Sequence, residues 1–120
     1  MRCPFCDDTE SIIESPFAYV RFDNFPVSRG HCLVISRRHV SDFFSLTEEE
    51  QRSIWEMVRA TKQLLDRDYQ PAGYNVGINV GLAAGQTVMH AHVHVIPRYD
   101  GDVDDPRGGV RCVIPGKQKY

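Results

Sequence analysis

No uninterrupted apolar stretch in these 120 residues approaches the roughly 20 residues that a membrane-spanning helix needs. The opening "MRCPFCDDTE" has no apolar core of the kind a secretory signal carries. Charge of either sign is not in excess. Fourteen Lys and Arg stand against sixteen Asp and Glu, for a net charge of −2, and no basic block or acidic tail interrupts the pattern. That balance sets aside nucleic acid and the membrane surface as partners. Cysteine is scarce too, at four residues. Without a secretory signal, a reduced cytoplasmic protein is the expectation, with no disulfide framework. Cys32 and Cys112 are isolated and read as buried or partly buried thiols. Repeats, low-complexity tracts and linkers are absent, and 120 residues suit one domain over 1–120 with a single core.

What is present reads as alternating strands around one helix. "FAYVRFD" (17–23) and "HCLVISRR" (31–38) alternate as strands and are joined by the turn-like "NFPVSRG", so they form a hairpin. From Thr47 the chain turns helical. Thr47 and Glu50 make a capping box, glutamates fill the first turn, and Ile54, Val58, Thr61 and Leu65 recur at helical spacing. Trp55 and Met57 widen that apolar stripe. "QPAG" ends the helix, and "YNVGINVG" (74–81) reads as a half-buried strand carrying Val76, Ile78 and Val80. After a further strand, residues 99–120 read as an extended tail with at most a short strand at "VRCVI". The order β, β, α, β, β predicts an α+β fold, an antiparallel sheet with one long helix on one face.

Two motifs carry chemistry. Cys3 and Cys6 have the spacing of half a zinc site, which needs two more ligands, usually histidine. His39 and one histidine of "HAHVH" are the candidates. A redox pair fits less well, because Cys3 has too little chain before it to supply the preceding strand. A segment without a role is the third reading. In "HAHVHVIPR" (90–98), three of the five histidines recur at period two. On a strand His90, His92 and His94 share a face while Ala91, Val93 and Val95 take the other. A catalytic zinc on His92 and His94 would need a third ligand and a nearby carboxylate, and none sits at recognisable spacing.

"QTVMHAHVHVIPR" resembles the signature of the histidine triad (HIT) nucleotide hydrolases and transferases, and the likeness runs from Phe17 to about Arg98. "GQTV" and "VIPR" are most similar to the fragile-histidine-triad branch, which cleaves dinucleoside polyphosphates, whereas "CPFC" is similar to zinc-containing members. The resemblance implies a HIT-like fold and a homodimer formed through the helix and the sheet edge. It implies a nucleotidyl hydrolase acting at the α-phosphate of diadenosine tri- or tetraphosphate and releasing AMP, with nucleoside phosphoramidate hydrolysis or non-catalytic nucleotide binding as alternatives. His92 would be the nucleophile, forming a nucleotidyl-histidine, a task suited to imidazole because it is largely unprotonated at neutral pH. His94 and His31 would neutralise phosphate charge. Gly85 would let the backbone approach phosphate, with Gln86 and Thr87 as donors to its oxygens, Gln86 counting among the catalytic residues. Asn79 would contact phosphate or ribose, and Asp23 the ribose hydroxyls. A structural zinc would sit on Cys3, Cys6, His39 and His90, tying residues 1–15 to the triad.

Overall fold

The computed structural model describes residues 2–120. Its centre is a five-stranded antiparallel sheet: β1 (Ile13–Glu14), β2 (Ala18–Phe22), β3 (Cys32–Ser36), β4 (Gly73–Gly77) and β5 (His92–Arg98), in the spatial order β1-β2-β3-β5-β4. The long helix α1 (Glu48–Asp68) lies across β2, β3 and β5. The expected fold, an antiparallel sheet with one helix on one face, is what forms.

Period two decides which side chain goes where. On the α1 side, Ala18 and Val20 of β2, Cys32 and Val34 of β3, and Val93 and Val95 of β5 meet Ile54 and Leu65 of α1, all buried. Leu65 is fully buried, and truncating it to alanine would cost about 2–5 kcal/mol. The hairpin turn comes so close to this residue that Gly30, at φ +85°, has no room for a side chain: a Cβ there would stand 3.0 Å from Leu65 Cδ2. The opposite face carries Tyr19, Arg21, Leu33, Ile35, His92 and His94, and it is free of helix.

α1 begins where its cap dictates. Thr47 Oγ1 accepts from the Glu50 N–H at 3.1 Å, and Glu50 Oε1 accepts from the Thr47 N–H at 2.9 Å. Glu50 also receives a two-pronged bond from Arg38, at 2.8 and 3.1 Å, which ties the helix start to the segment after β3.

Several expectations need correction. Trp55 does not join the core; it is 46% exposed and packs its edge on Phe43. The strand expected over 74–81 stops at Gly77, its last residue paired to β5, opposite His94. Residues 78–80 leave the ladder, which frees Asn79 to turn toward the site. His90 precedes β5 instead of belonging to it, although its face is the expected one. "VRCVI" is not a strand: Gly108 and Gly109 both adopt positive φ, and the chain makes a 3-10 turn over Gly109–Val113 against Asn75. That turn leaves Cys112 exposed, whereas Cys32 is buried.

Candidate functional site

The helix-free face is roofed at one end by the N-terminal turn. Pro4–Cys6 form a single 3-10 turn that seats Phe5 on the sheet, 8% exposed, and the Tyr19 hydroxyl secures it by donating to the Phe5 carbonyl at 2.6 Å. The Phe5 ring meets His92 edge-on, 4.8 Å between centroids. Beside it opens a cavity of about 300 Å³ bordered by Asp23, Asn79, Gly85, Thr87, His92 and His94, six residues expected at the site from sequence.

The ring nitrogens of the histidines are assigned by what each one faces. His92 Nδ1 lies 2.7 Å from the His90 carbonyl, which can only accept, so Nδ1 carries the proton. Nε2, which has no hydrogen-bond partner among the described residues, is then the lone-pair nitrogen of a ring that lines the cavity. His31 Nδ1 accepts from the Val27 N–H at 3.1 Å, which places the His31 proton on Nε2. Nε2 donates to His94 Nδ1 at 3.0 Å and lies 3.4 Å from Asp23 Oδ2. His94 therefore keeps its own proton on Nε2, as a donor. Burial lowers the pKa of His31, His92 and His94, so all three favour the neutral form. A neutral His31 bearing a proton on Nε2 has no lone pair there, so Asp23, His31 and His94 form a hydrogen-bonded relay, not a set of metal ligands.

Two expected residues stand apart from this cavity. His31 backs the site from behind His94 and opens toward a neighbouring cavity of about 480 Å³ bordered by Asn75, Ile96 and the tail. Gln86 is buried and its amide is engaged by the loop: Nε2 donates to the Ser41 and Val88 carbonyls at 2.8 and 3.1 Å, and Oε1 accepts from the Gly81 N–H at 2.9 Å. The residue expected as a donor to phosphate thus has its amide N–H groups on loop carbonyls in this structure. Gln86 is the brace that shapes the loop presenting Gly85 and Thr87.

The second cluster lies behind Phe5. Cys3 Sγ is 3.3 Å from His90 Nδ1, Cys6 Sγ 3.3 Å from His39 Nδ1, and the two Nδ1 atoms are 3.1 Å apart. All four atoms fall within 4.8 Å of one another. Ligands of a tetrahedral zinc are separated by roughly 3.3–3.8 Å, given ordinary Zn–S and Zn–N lengths. His90 Nε2 donates to the Ser36 carbonyl at 2.6 Å, which leaves Nδ1 as the ligating nitrogen and fixes the ring. The donor set fits a closed Cys2His2 site.

Residues 7–101, most of the chain, match the HIT domain. The chain belongs to the HIT family. Among HIT relatives, an uncharacterized 16.1 kDa HIT-like protein of Mycoplasma pneumoniae is 35% identical over 105 residues, 82% of this chain and 73% of that one. The bis(5'-nucleosyl)-tetraphosphatase (asymmetrical) of Schizosaccharomyces pombe is 39% identical over 80 residues, which cover 67% of this chain and 44% of the yeast protein. The crystal structure of a Zn-bound histidine triad family protein from Mycobacterium smegmatis superposes with a TM-score of 0.77 at 32% identity, covering 85% of this chain and 78% of that one.

Sequence reasoning about this HIT site overlooked Phe5 and Arg21. Phe5 stands between the paired cysteines, so a metal holding both would seat it on the sheet. Arg21 is the charged residue in an otherwise apolar strand and shares the alternating face of Tyr19, a pattern that marks an inward cation.

Proposed function

We propose that the chain acts as one HIT unit that hydrolyses dinucleoside polyphosphates at the α-phosphate through a nucleotidyl-histidine. The observation that carries this reading is the His92 tautomer, with Nδ1–H held by the His90 carbonyl at 2.7 Å and Nε2 left to the cavity. Nε2 attacks the α-phosphorus, the P–Nε2 bond forms, and the bond to the bridging oxygen breaks, releasing the remaining nucleotide. The ring becomes cationic as it bonds phosphorus, and the His90 carbonyl stabilises the charge at Nδ1. Water then attacks phosphorus, the P–N bond breaks, and a nucleoside monophosphate leaves with His92 restored. His94 Nε2–H faces the transferring group as a donor, and its Nδ1 is held to that orientation by His31. Thr87 and the backbone near Gly85 border the phosphate end, while Asp23 and Asn79 supply polar contacts for phosphate or ribose.

Zinc is the proposed structural metal. When bound by Cys3, Cys6, His39 and His90 it would hold the N-terminal turn, and with it Phe5, against His92. The four thiol and imidazole ligands leave no position for substrate, and the thiolates require a reducing compartment such as the cytoplasm. A homodimer is the proposed assembly. It is supported by β4, which ends the sheet and offers an unpaired edge with Val76 at 36% exposure. A mass near 13.7 kDa by light scattering would rule the dimer out.

Incubation with dinucleoside tri- and tetraphosphates and with nucleoside phosphoramidates, with products resolved by chromatography, tests the reaction. Release of a nucleoside monophosphate from the dinucleotides is expected. Turnover of phosphoramidates alone would move the assignment to that substrate class, and tight binding without turnover of either would leave a nucleotide-binding module.

A further inference from the structure

Arg21 is an unusual residue to find on the wall of this cavity. It is 7% exposed, it sits one residue before the end of β2, and its guanidinium is only partly used by the protein. Nη2 meets Glu10 Oε2 at 3.1 Å, and Nε donates to the Phe22 carbonyl at 3.4 Å. Nη1 has no hydrogen-bond partner among the described residues. Nor is it a sealed, unsatisfied atom, since no buried side-chain nitrogen or oxygen among them lacks a partner. Nη1 therefore keeps accessible surface, and Arg21 borders the cavity together with Phe5 and Leu33.

Register says what part of a nucleotide would arrive there. Arg21 pairs with Leu33 across β2 and β3, and Leu33 pairs with His94 across β3 and β5, so all three project from one face in one row. Two strand spacings separate Arg21 from His94, roughly 10 Å. That is about the span from the α-phosphate of a nucleotide to the far edge of its base. With the phosphate at His92 and His94 and the ribose beside Asp23, a base would lie over Leu33 against Phe5, with its edge toward Arg21.

We infer that Arg21 makes this cavity selective for 6-oxopurine bases, guanine and hypoxanthine, over adenine. The inference rests on the proposed nucleotide site and goes beyond it by naming the base. A guanidinium offers only donors. Guanine and hypoxanthine present O6 and N7 side by side as acceptors, and Nη1 together with the Nη2 N–H that Glu10 does not take can bond both. Adenine presents N7 beside the N6 amino group, which sets N–H against N–H and leaves a buried donor unmade. This replaces the adenine preference that the family resemblance implies.

Steady-state kinetics on diguanosine and diadenosine tetraphosphate, with binding of GMP, IMP, AMP and 7-deaza-GMP measured by calorimetry, test it. The expected kcat/KM ratio favours guanine by about 10- to 100-fold. GMP and IMP should bind alike, and 7-deaza-GMP, lacking the N7 acceptor, about tenfold more weakly than GMP. Arg21→Met should erase the ratio. Equal kcat/KM for both dinucleotides, an adenine preference, or a ratio unchanged in Arg21→Met would overturn the inference while leaving the hydrolase reading intact. If neither dinucleotide turns over, the hydrolase reading fails and the GMP to AMP affinity ratio decides: tenfold or more supports Arg21 as the base reader, and equality overturns it. If Arg21→Met fails to fold, the 7-deaza comparison on the unaltered protein decides in the same way.

Discussion

His92 donates its Nδ1 proton to the carbonyl of His90, at 2.7 Å, while the side chain of His90 faces Cys3 and Cys6. One residue thus joins the two centres: its imidazole belongs to the cysteine cluster and its backbone sets the tautomer of the proposed nucleophile. Disturbing the cluster should therefore reach the reaction through the position of this backbone and of Phe5.

Replacement of the nucleophile is the most direct check on the covalent step. His92→Ala should lower kcat by several orders of magnitude while nucleotide affinity stays within about tenfold, because the ring contributes bond formation more than ground-state binding. Mass spectrometry of acid-sparing quenched samples should place a nucleotidyl adduct on His92. An adduct on His94 or His31, or near-normal turnover by His92→Ala, would refute the mechanism.

The relay from Val27 through His31 to His94 makes a graded prediction. His31→Ala removes the donor to His94 Nδ1 and should lower kcat by about 10- to 100-fold, less than the roughly 10²- to 10³-fold typical of losing a direct donor. His31→Gln should recover part of the loss, because its amide N–H reaches a position close to that of Nε2. Equal damage by both variants would show that His31 acts through bulk and not through its proton.

The cysteine cluster predicts one zinc per chain by elemental analysis of protein purified without chelator. Cys6→Ser should lower the zinc content and the melting temperature, and a strong chelator at mildly acidic pH should do the same to the unaltered protein, since protons compete for thiolate ligands. His90→Ala should lose stability as well as rate. Full stability in a protein free of zinc would remove the structural metal.

Acid should weaken the cap of α1. Arg38 and the Thr47 N–H hold the Glu50 carboxyl down to about 2, below its ordinary value. A carboxyl depressed on folding contributes stability that is fully present above its unfolded pKa and is lost as pH falls through the folded value. The Glu50 contribution should fade between about pH 5 and pH 2. Glu50→Gln should destabilise the protein at pH 7 and flatten urea-midpoint changes across that window. An unchanged acid profile would show that the bond carries no net stability.

Local rules read from the chain decided a good deal of this protein. The α1 cap at Thr47 and Glu50 needs only neighbours in sequence, so it was legible at once. The alternation that sends Val93 and Val95 to the helix and His92 and His94 to the other face follows from strand geometry alone. The HIT signature likewise pointed to the triad without coordinates. Tertiary structure decided what depends on partners far along the chain. The Gln86 amide is directed into the loop because the Ser41 carbonyl, 45 residues away, accepts its proton. The His31 proton sits on Nε2 because the Val27 N–H occupies Nδ1, a tautomer choice that no spacing encodes. Where the sequence allowed at most a short strand in the tail, two glycines at positive φ lead into a 3-10 turn. Arg21 became a cavity wall only when β3 set it in register with His94, since an alternating pattern assigns a side chain to a face and only the fold assigns that face a neighbour.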